Sequence, residues 1–198
     1  MKLLIASDLH GAAPAVHALA ARIESEAPDR IVLLGDLLYH GPRNDLPAGY
    51  APKEVIAVLN GLAERIVAVR GNCDAEVDQM VLDFPCMADY ALVEVDGHEL
   101  YLAHGHLGDP PRLAPGSAFL SGHTHVKTLD NREGVLYVNP GSTSIPKDGT
   151  ASYAVYENNA FKLKTLEGAV LAEKGGSPQV AHGGLPFSSS CAWGTAGD

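Results

Sequence analysis

The stretch Ala118-Phe119-Leu120-Ser121-Gly122-His123-Thr124-His125 is an apolar run that breaks at a glycine and ends in two histidines. The apolar part is typical of a short buried strand, so the two imidazoles follow its carboxyl end. Histidine is the commonest side-chain ligand for transition metals, which makes this strand end a candidate metal site. A polar turn with two solvated histidines explains these residues equally well, so other parts of the chain must supply further ligands.

Four other apolar runs end in residues of the same chemical kind. Each run is typical of a buried strand, and each is followed by carboxylate, amide or imidazole groups. The four endings are Asp8-Leu9-His10, Gly35-Asp36, Gly71-Asn72 and His104-Gly105-His106. Ligands of α/β proteins bind at the carboxyl ends of parallel strands. Any one ending alone would be an ordinary turn, but the set of five predicts one shared site.

The order of elements predicts an α/β fold. The expected elements of the first half are strands at 2–7, 30–34 and 66–69 and helices at 13–26 and 53–62. This alternation favours a parallel sheet. The second half contains hairpins instead, the clearest of them around Asp96-Gly97. We therefore predict two packed sheets with helices outside.

The bulk composition narrows the function classes. The chain has 198 residues, enough for one domain with a sizeable core, and a net charge of -10. That charge argues against an extended nucleic-acid surface or an anionic membrane surface, because both require a basic face on the protein. A phosphate-containing substrate stays open, since bound metal ions invert the local charge of a site.

Compartment and domain boundaries follow from the cysteines and the two ends of the chain. Three cysteines without CxxC spacing do not form a disulfide framework, which favours the cytoplasm. The apolar run Leu3–Ala6 is too short for a signal peptide, and no stretch approaches the length of a membrane span.

Half of residues 175–198 are glycine, proline or serine, so we predict a domain over 1–170 and a disordered tail over 175–198.

The mixture of Asp, His and Asn at the five strand ends indicates which metals fit. It suits borderline divalent cations such as Mn²⁺, Zn²⁺ and Fe²⁺ better than Ca²⁺ or Mg²⁺, which prefer all-oxygen sites. The ligands are too many for one tetrahedral ion, and two ions need a bridging carboxylate, for which Asp36 is central in the order. Two metals about 3.5–4 Å apart clamp a phosphate, activate a water and stabilise the leaving oxygen.

Taken in order, the motifs DxH, GD, GNxD, H and GHxH resemble those of the calcineurin-like metallophosphoesterase superfamily, from Met1 to about Leu166. A finer resemblance is to the YfcE-type bacterial phosphodiesterases, through the stretches HGPRND, GYAPKEV, AVRGNCDAEVDQM, HGH, GHTH and NPGSTSIPK. The resemblance implies a four-layer αββα sandwich, in which two mixed β-sheets are flanked by helices.

The resemblance also implies a ligand set for two metal ions. One ion would be held by Asp8, His10, Asp36 and His125. The other ion would be held by Asp36, Asn72, His104 and His123, with Asp36 bridging. Every ligand position of the family is present, which argues against non-catalytic members of the fold such as the retromer scaffold subunit.

Cys73 departs from the superfamily pattern. The wider superfamily has histidine after Gly-Asn, where it is thought to protonate the leaving group, whereas the YfcE-type branch resembles this chain in having cysteine. A thiol with its usual pKa of about 8.5 is a weak donor, so we expect a preference for diesters with good leaving groups. A small packing residue beside the site is the alternative. Asp74 is a candidate for holding a neighbouring ligand or water, and His104 for neutralising charge on the phosphate.

Three further residues are candidates for substrate binding. His40 and Arg43 belong to the long loop 39–52, and Arg43 suits bidentate contacts with a phosphate. His106 follows His104 by two residues and is expected to face the same pocket. A solvated loop residue is the alternative interpretation for each of the three.

The function expected from these residues is Mn²⁺-dependent hydrolysis of a small phosphodiester, in which a metal-bound hydroxide attacks phosphorus in line. Zn²⁺, Fe²⁺, Ni²⁺ and Co²⁺ are the alternative ions. A scaffold or regulatory protein that uses the same fold is the competing interpretation. A phosphomonoesterase or a nuclease would use the same metals on another substrate. The resemblance also suggests self-association into a homo-oligomer.

Overall fold

The computed structural model describes residues 1–175. The strands are β1 (Leu3–Ala6), β2 (Arg30–Leu33), β3 (Ile66–Ala68), β4 (Tyr90–Val95), β5 (His98–Ala103), β6 (Ala118–Leu120), β7 (Thr128–Arg132), β8 (Val135–Asn139), β9 (Ser152–Glu157), β10 (Ala160–Thr165) and β11 (Val170–Gly175). The helices are α1 (Ala13–Glu26), α2 (Pro52–Asn60) and α3 (Glu76–Gln79), with a 3₁₀ turn at Ala63–Arg65. Apart from Gly175, the predicted tail lies outside the described residues.

Both sheets are mixed, which confirms the predicted α/β sandwich. The first sheet has the order β11-β10-β9-β1-β2-β3, and β1, β2 and β3 are parallel. The second sheet has the order β4-β5-β6-β8-β7, and its centre, β5, β6 and β8, is also parallel. The hairpin pattern did not predict this parallel centre, because the crossovers after β5 and β6 contain loops and a hairpin and no helix. As a result, three strands of each sheet direct their carboxyl ends to a common edge.

Alternating side chains of β1 divide the hydrophobic core in two. Leu4 and Ala6 pack in a cluster with α1 and α2, on the outer face of the first sheet. Leu3 and Ile5 point the other way and pack against the second sheet. All four side chains are at most 1% exposed. A strand buried on both faces requires a continuous apolar sequence, and the run Leu3–Ala6 supplies it.

The described helices all belong to the first half of the chain, and the outer face of the second sheet carries aromatic side chains. Phe119 lies between Tyr101 and Tyr137, with ring centroids 6.0 and 5.5 Å away. Arg132 covers the ring of Tyr137 at 4.4 Å. No helix within residues 1–175 is long and apolar enough to cross a membrane.

The last strand, β11, was not predicted from the sequence. Among the described strands it pairs with β10 alone, at the edge of the first sheet, and Val170 and Leu171 are exposed there. An edge strand that is largely solvated lacks the apolar alternation by which strands are recognised. The ordered sheet therefore continues five residues beyond residue 170, where the predicted domain ends.

Candidate metal centre

The carboxyl ends of the parallel strands meet at one place between the two sheets. Asp8 follows β1 and donates its backbone N–H to the carbonyl of Gly35, 3.1 Å away. The two sheets are joined here by His104, whose Nδ1 lies 2.6 Å from the carbonyl oxygen of Leu34. They are joined again by His123, whose backbone N–H donates to Oδ2 of Asp8 at 3.1 Å. Four of the five predicted strand endings therefore converge.

Two carboxylates and three imidazoles form the buried centre of this cluster. Oδ1 of Asp8 lies 3.2 Å from Nε2 of His125 and 3.7 Å from Nε2 of His10. Oδ2 of Asp36 lies 3.4 Å from Nε2 of His104 and 3.7 Å from Nε2 of His10. The five side chains are between 0 and 4% exposed. Such spacings leave room for cations between the donor atoms.

Asn72 and His123 complete the cluster on its more exposed side. Oδ1 of Asn72 lies 3.2 Å from Nε2 of His104. The ring of His123 lies edge-on to that of His104, with centroids 5.1 Å apart. All seven residues predicted to hold metals are thus brought together in one cluster.

The arrangement of hydrogen bonds shows that the cluster suits metal ions. Nδ1 of His10 lies 2.8 Å from the carbonyl of Tyr39, and Nδ1 of His125 lies 2.9 Å from that of Ile145. A ring nitrogen facing a carbonyl carries the proton, so Nε2 of each neutral ring holds a lone pair. These two Nε2 atoms face each other at 3.2 Å. Oδ1 of Asp8 is buried beside them without a hydrogen-bond donor. Unpaired acceptors directed at one another fit a cation between them.

The electrostatics of the protein without metal point the same way. Burial raises the pKa of Asp36, but the hydrogen bond and charge of His104 outweigh it and lower the pKa to about 2. Burial lowers the pKa of His104, but the hydrogen bond to Asp36 and the charges of Asp8 and Asp36 outweigh it and raise the pKa. The raised pKa of His104 shows that the two carboxylates favour a positive charge beside them.

The backbone at the ligands is strained. Five of the ligand residues have positive φ angles between 46° and 66°, namely Asp8, His10, Asp36, His123 and His125. Non-glycine residues seldom adopt this left-handed conformation, and strain of this kind concentrates at functional sites. It turns successive side chains toward one point at each strand end.

Glycines precede two of the ligands because a side chain there would collide with residues at the neighbouring strand ends. A Cβ atom on Gly71 would lie 2.1 Å from Oδ1 of Asp36, and one on Gly122 would lie 1.9 Å from Oγ of Ser7. Both distances are far below any van der Waals contact. The glycines of the Gly-Asn and Gly-His motifs therefore allow the close approach of the strand ends.

Asp74 holds the backbone under the cluster. Its carboxylate accepts three backbone N–H bonds, from Asp36 at 2.8 Å, Leu37 at 2.8 Å and Gly71 at 2.7 Å. Burial raises its pKa to about 6 against these donors, so the group is an anion at neutral pH. Asp74 does not line the cleft in front of the ligands. It is a positioning residue for Asp36.

Cys73 lies at the cleft as a neutral thiol. Its backbone N–H donates to Oδ1 of Asp36 at 2.8 Å, and Nδ2 of Asn72 lies 3.2 Å from its sulfur. Burial and the charge of Asp36 raise the thiol pKa to about 12. A thiol with this pKa is neither a nucleophile nor an effective proton donor near neutral pH.

The three predicted substrate-binding residues are placed differently. Arg43 lines the cleft in front of the ligands. His106 lines a neighbouring cavity, with its ring centroid 5.4 Å from that of His104, and burial lowers its pKa. His40 packs between Tyr39 and Tyr50, with ring centroids 4.8 and 5.3 Å away, and lines neither cavity.

Sequence reasoning missed several residues that shape the site. Ser142 and Ser144 donate their hydroxyls to the carbonyl oxygen of Asp8, at 2.8 and 2.7 Å, and so fix its left-handed backbone. Asn139 donates to the carbonyl oxygen of Gly122 at 2.7 Å. Lys147 lines the cleft in front of the ligands, although no role was predicted for it from the sequence. The turn signal Asn139-Pro140-Gly141-Ser142 marks this segment, but nothing in it indicates a ligand.

Comparison with known proteins shows the superfamily to which the chain belongs. Residues 1–160 match the calcineurin-like phosphoesterase superfamily domain, and the chain belongs to that superfamily. It is 44% identical over 170 residues to phosphodiesterase YfcE of Escherichia coli K12, covering 84% of this chain and 92% of that one. The solved structure of YfcE, described as a phosphoesterase from E. coli, superimposes with a TM-score of 0.87 at 42% identity over 89% of this chain and all of that chain. The probable metallophosphoesterase YsnB of Bacillus subtilis is 26% identical over 182 residues, covering 85% of this chain and 92% of that one.

Proposed function

We propose that this protein is a divalent-metal-dependent phosphodiesterase with a dinuclear centre. The observation that carries the proposal is the pair of buried carboxylates, Asp8 and Asp36, beside the Nε2 atoms of His10 and His125, which face each other at 3.2 Å. Asp8, His10, Asp36 and His125 would hold one ion, and Asp36, Asn72, His104 and His123 the other. The phosphodiesterase named among the relatives supports the choice of a diester as substrate.

The chain itself supplies binding and orientation. When bound, two divalent ions offset charge on the phosphate and lower the pKa of a coordinated water towards neutrality. Asp74 fixes Asp36 through the backbone, and the carbonyls of Tyr39 and Ile145 fix the tautomers of His10 and His125. Because Cys73 is a poor acid, the leaving group departs without a strong proton donor from this position. That favours esters of acidic alcohols or phenols.

Mn²⁺ is the proposed ion. The mixed nitrogen and oxygen ligands suit borderline divalent ions, and Zn²⁺, Fe²⁺, Ni²⁺ and Co²⁺ fit the same donors. The acidic chain disfavours long nucleic acids, so we propose a small phosphodiester substrate and a cytoplasmic location. We also propose that the protein associates with itself into a homo-oligomer.

Hydrolysis of bis(4-nitrophenyl) phosphate by the purified chain, with and without Mn²⁺, tests the proposed function. We expect turnover that depends on the metal and that Asp36→Asn abolishes. The matched control is Asp83→Asn, an exposed carboxylate outside the cluster. No hydrolysis with any of Mn²⁺, Co²⁺, Ni²⁺, Zn²⁺ or Fe²⁺ would favour a scaffold that only shares the fold.

A further inference from the structure

The cleft in front of the candidate metal ligands contains more positive charge than the ligands explain. It has a volume of about 380 Å³, within the range of small-molecule sites. Besides Asp36, His123 and His125, it is lined by two cationic side chains, Arg43 and Lys147. Arg43 comes from the loop between β2 and α2, and Lys147 from the loop between β8 and β9. Two segments far apart in sequence thus each bring one cation to the same cavity.

Neither cation is paired within residues 1–175. The chain has 14 lysines and arginines. In the described part of the chain, ten of them bond to a carboxylate or a backbone carbonyl. The four without such a partner among residues 1–175 are Arg43, Lys53, Arg112 and Lys147. Half of these unpaired cations line this one cleft, in a chain whose net charge is -10. Within residues 1–175 no carboxylate pairs with either cation, which leaves both available to an anionic ligand.

Contacts with the site fix the backbone beside both cations. The backbone N–H of Lys147 donates to the carbonyl oxygen of His125 at 3.0 Å. On the other side, Gly41 packs so closely on Cys73 that a Cβ there would lie 2.8 Å from its sulfur. Asn44, next to Arg43, donates to the carbonyl oxygen of His40 at 2.7 Å. Both side chains are exposed, and the backbone beside each is held against the site.

We propose that Arg43 and Lys147 form an anion subsite, and that the natural substrate is a phosphodiester with a second anionic group, such as a terminal phosphate, on one arm. This inference rests on the proposed phosphodiesterase function. A diester carries a single negative charge, which the metal centre accommodates, so two further cations exceed what a singly charged substrate needs. Arginine binds phosphate through a bidentate fork, and lysine acts as a point charge beside it.

A pair of chromogenic diesters that differ in one group tests the proposal. The substrates are the 4-nitrophenyl ester of thymidine 5′-phosphate and the same compound with a 3′-phosphate. We expect the Mn²⁺-loaded protein to show a kcat/KM about tenfold or more higher for the second compound, the gain typical of charge-assisted hydrogen bonds. In the double variant Arg43→Gln, Lys147→Gln that ratio falls to about one. The double variant Lys53→Gln, Arg112→Gln loses the same charge elsewhere and retains the ratio.

Binding measured by calorimetry separates this inference from the proposed function. Thymidine 3′,5′-bisphosphate and thymidine 5′-monophosphate are titrated into the same proteins. A preference for the bisphosphate that only the cleft variant loses supports the anion subsite, even if neither diester is hydrolysed and the proposed function fails. Turnover of both diesters with equal kcat/KM overturns the subsite and leaves the phosphodiesterase intact. An unchanged preference in the cleft variant also overturns it.

Discussion

Nε2 of His10 and Nε2 of His125 face each other at 3.2 Å, while the opposite nitrogen of each ring is bound to a backbone carbonyl. When both rings are neutral, neither Nε2 has a proton for the other, so the contact is unfavourable until a cation enters. The two rings come from segments 115 residues apart, and both histidines have the left-handed backbone conformation. The fold thus imposes a pair of acceptors that is suited to a metal ion.

Single histidine variants should remove the two ions separately. We expect His125→Ala to weaken chiefly the ion at Asp8 and His10, and His123→Ala chiefly the ion at Asn72 and His104. Loss of a direct ligand should reduce affinity by more than the roughly 10–100-fold that loss of an outer partner costs. Metal content by mass spectrometry, with Mn²⁺ titration, measures both. Equal loss of both ions from either variant would contradict the assignment or show that the sites fill only together.

Position 73 should set the preference between diesters and monoesters. The Cys73 thiol has a pKa of about 12 and cannot assist a poor leaving group, whereas an imidazole titrates near neutral pH. We expect Cys73→His to raise kcat/KM for 4-nitrophenyl phosphate relative to bis(4-nitrophenyl) phosphate by about tenfold or more, at the low end of general acid catalysis. Cys73→Ser is the control for size. An unchanged ratio in the histidine variant would leave Cys73 as a packing residue.

Replacing Asp74 by Asn should weaken metal binding indirectly, through the position of Asp36. The amide keeps the shape of the carboxylate but loses one acceptor oxygen and the charge that three backbone N–H groups bind. We expect a loss of about 1–3 kcal/mol in the free energy of unfolding and weaker Mn²⁺ binding, because Asp36 is no longer held. Asp78→Asn is the matched control, since Asp78 is also buried and accepts the backbone N–H of Ala75 at 2.9 Å.

The two variants differ in what they should lose. Asp78 anchors α3 and not a metal ligand, so its variant should lose stability and keep its Mn²⁺ affinity. Chemical denaturation and Mn²⁺ titration together distinguish the two. If both variants bind Mn²⁺ with the affinity of the wild type, Asp74 has no positioning role.

Glu26 should make stability depend on pH in the acid range. It accepts a hydrogen bond from Lys164, lies 2.9 Å from Nζ of Lys2, and accepts the hydroxyl of Tyr153 at 3.0 Å. Burial raises its pKa, but these partners outweigh it and lower the pKa from 4.5 to about 2. A depressed pKa stabilises the folded state above pH 4.5, and the contribution is lost as pH falls toward 2.

The corresponding variant is Glu26→Gln. At pH 7 we expect it to lower the free energy of unfolding by about 2–3 kcal/mol, and the difference from the wild type should vanish near pH 2. Glu24→Gln, an exposed residue on the same helix, is the control. Urea denaturation across this pH range measures the effect. A difference that does not change with pH would mean that packing of Glu26 matters and its charge does not.

The sequence predicted more of the candidate site than of the fold around it. An apolar run followed by Asp, His or Gly is a local pattern, and parallel strands bring such endings to one edge whatever the details of the sheet. That is why His104 and His125, 21 positions apart, are recognised together. The family resemblance then orders the endings into two groups. The left-handed backbone at Asp8 and Asp36 was not foreseen, because no sequence pattern specifies it for aspartate.

The features that were not predicted depend on contacts between segments that are distant in sequence. β11 is an exposed edge strand whose pairing with β10 leaves no apolar alternation. Lys147 lines the cleft, and its backbone bonds to His125, a contact that no spacing reveals. The rings of Tyr39 and Tyr50 pack on His40, a contact that the sequence does not reveal. Each is a tertiary relationship between segments that look ordinary by themselves.

The most direct test of the account is a crystal structure of the Mn²⁺-loaded protein with anomalous diffraction data collected on either side of the manganese absorption edge. We predict two anomalous peaks between the sheets, both in contact with Asp36. One should be bound by Asp8, His10 and His125, and the other by Asn72, His104 and His123. A single peak, or peaks that leave Asp36 uncoordinated, would contradict the dinuclear centre on which the proposed function depends.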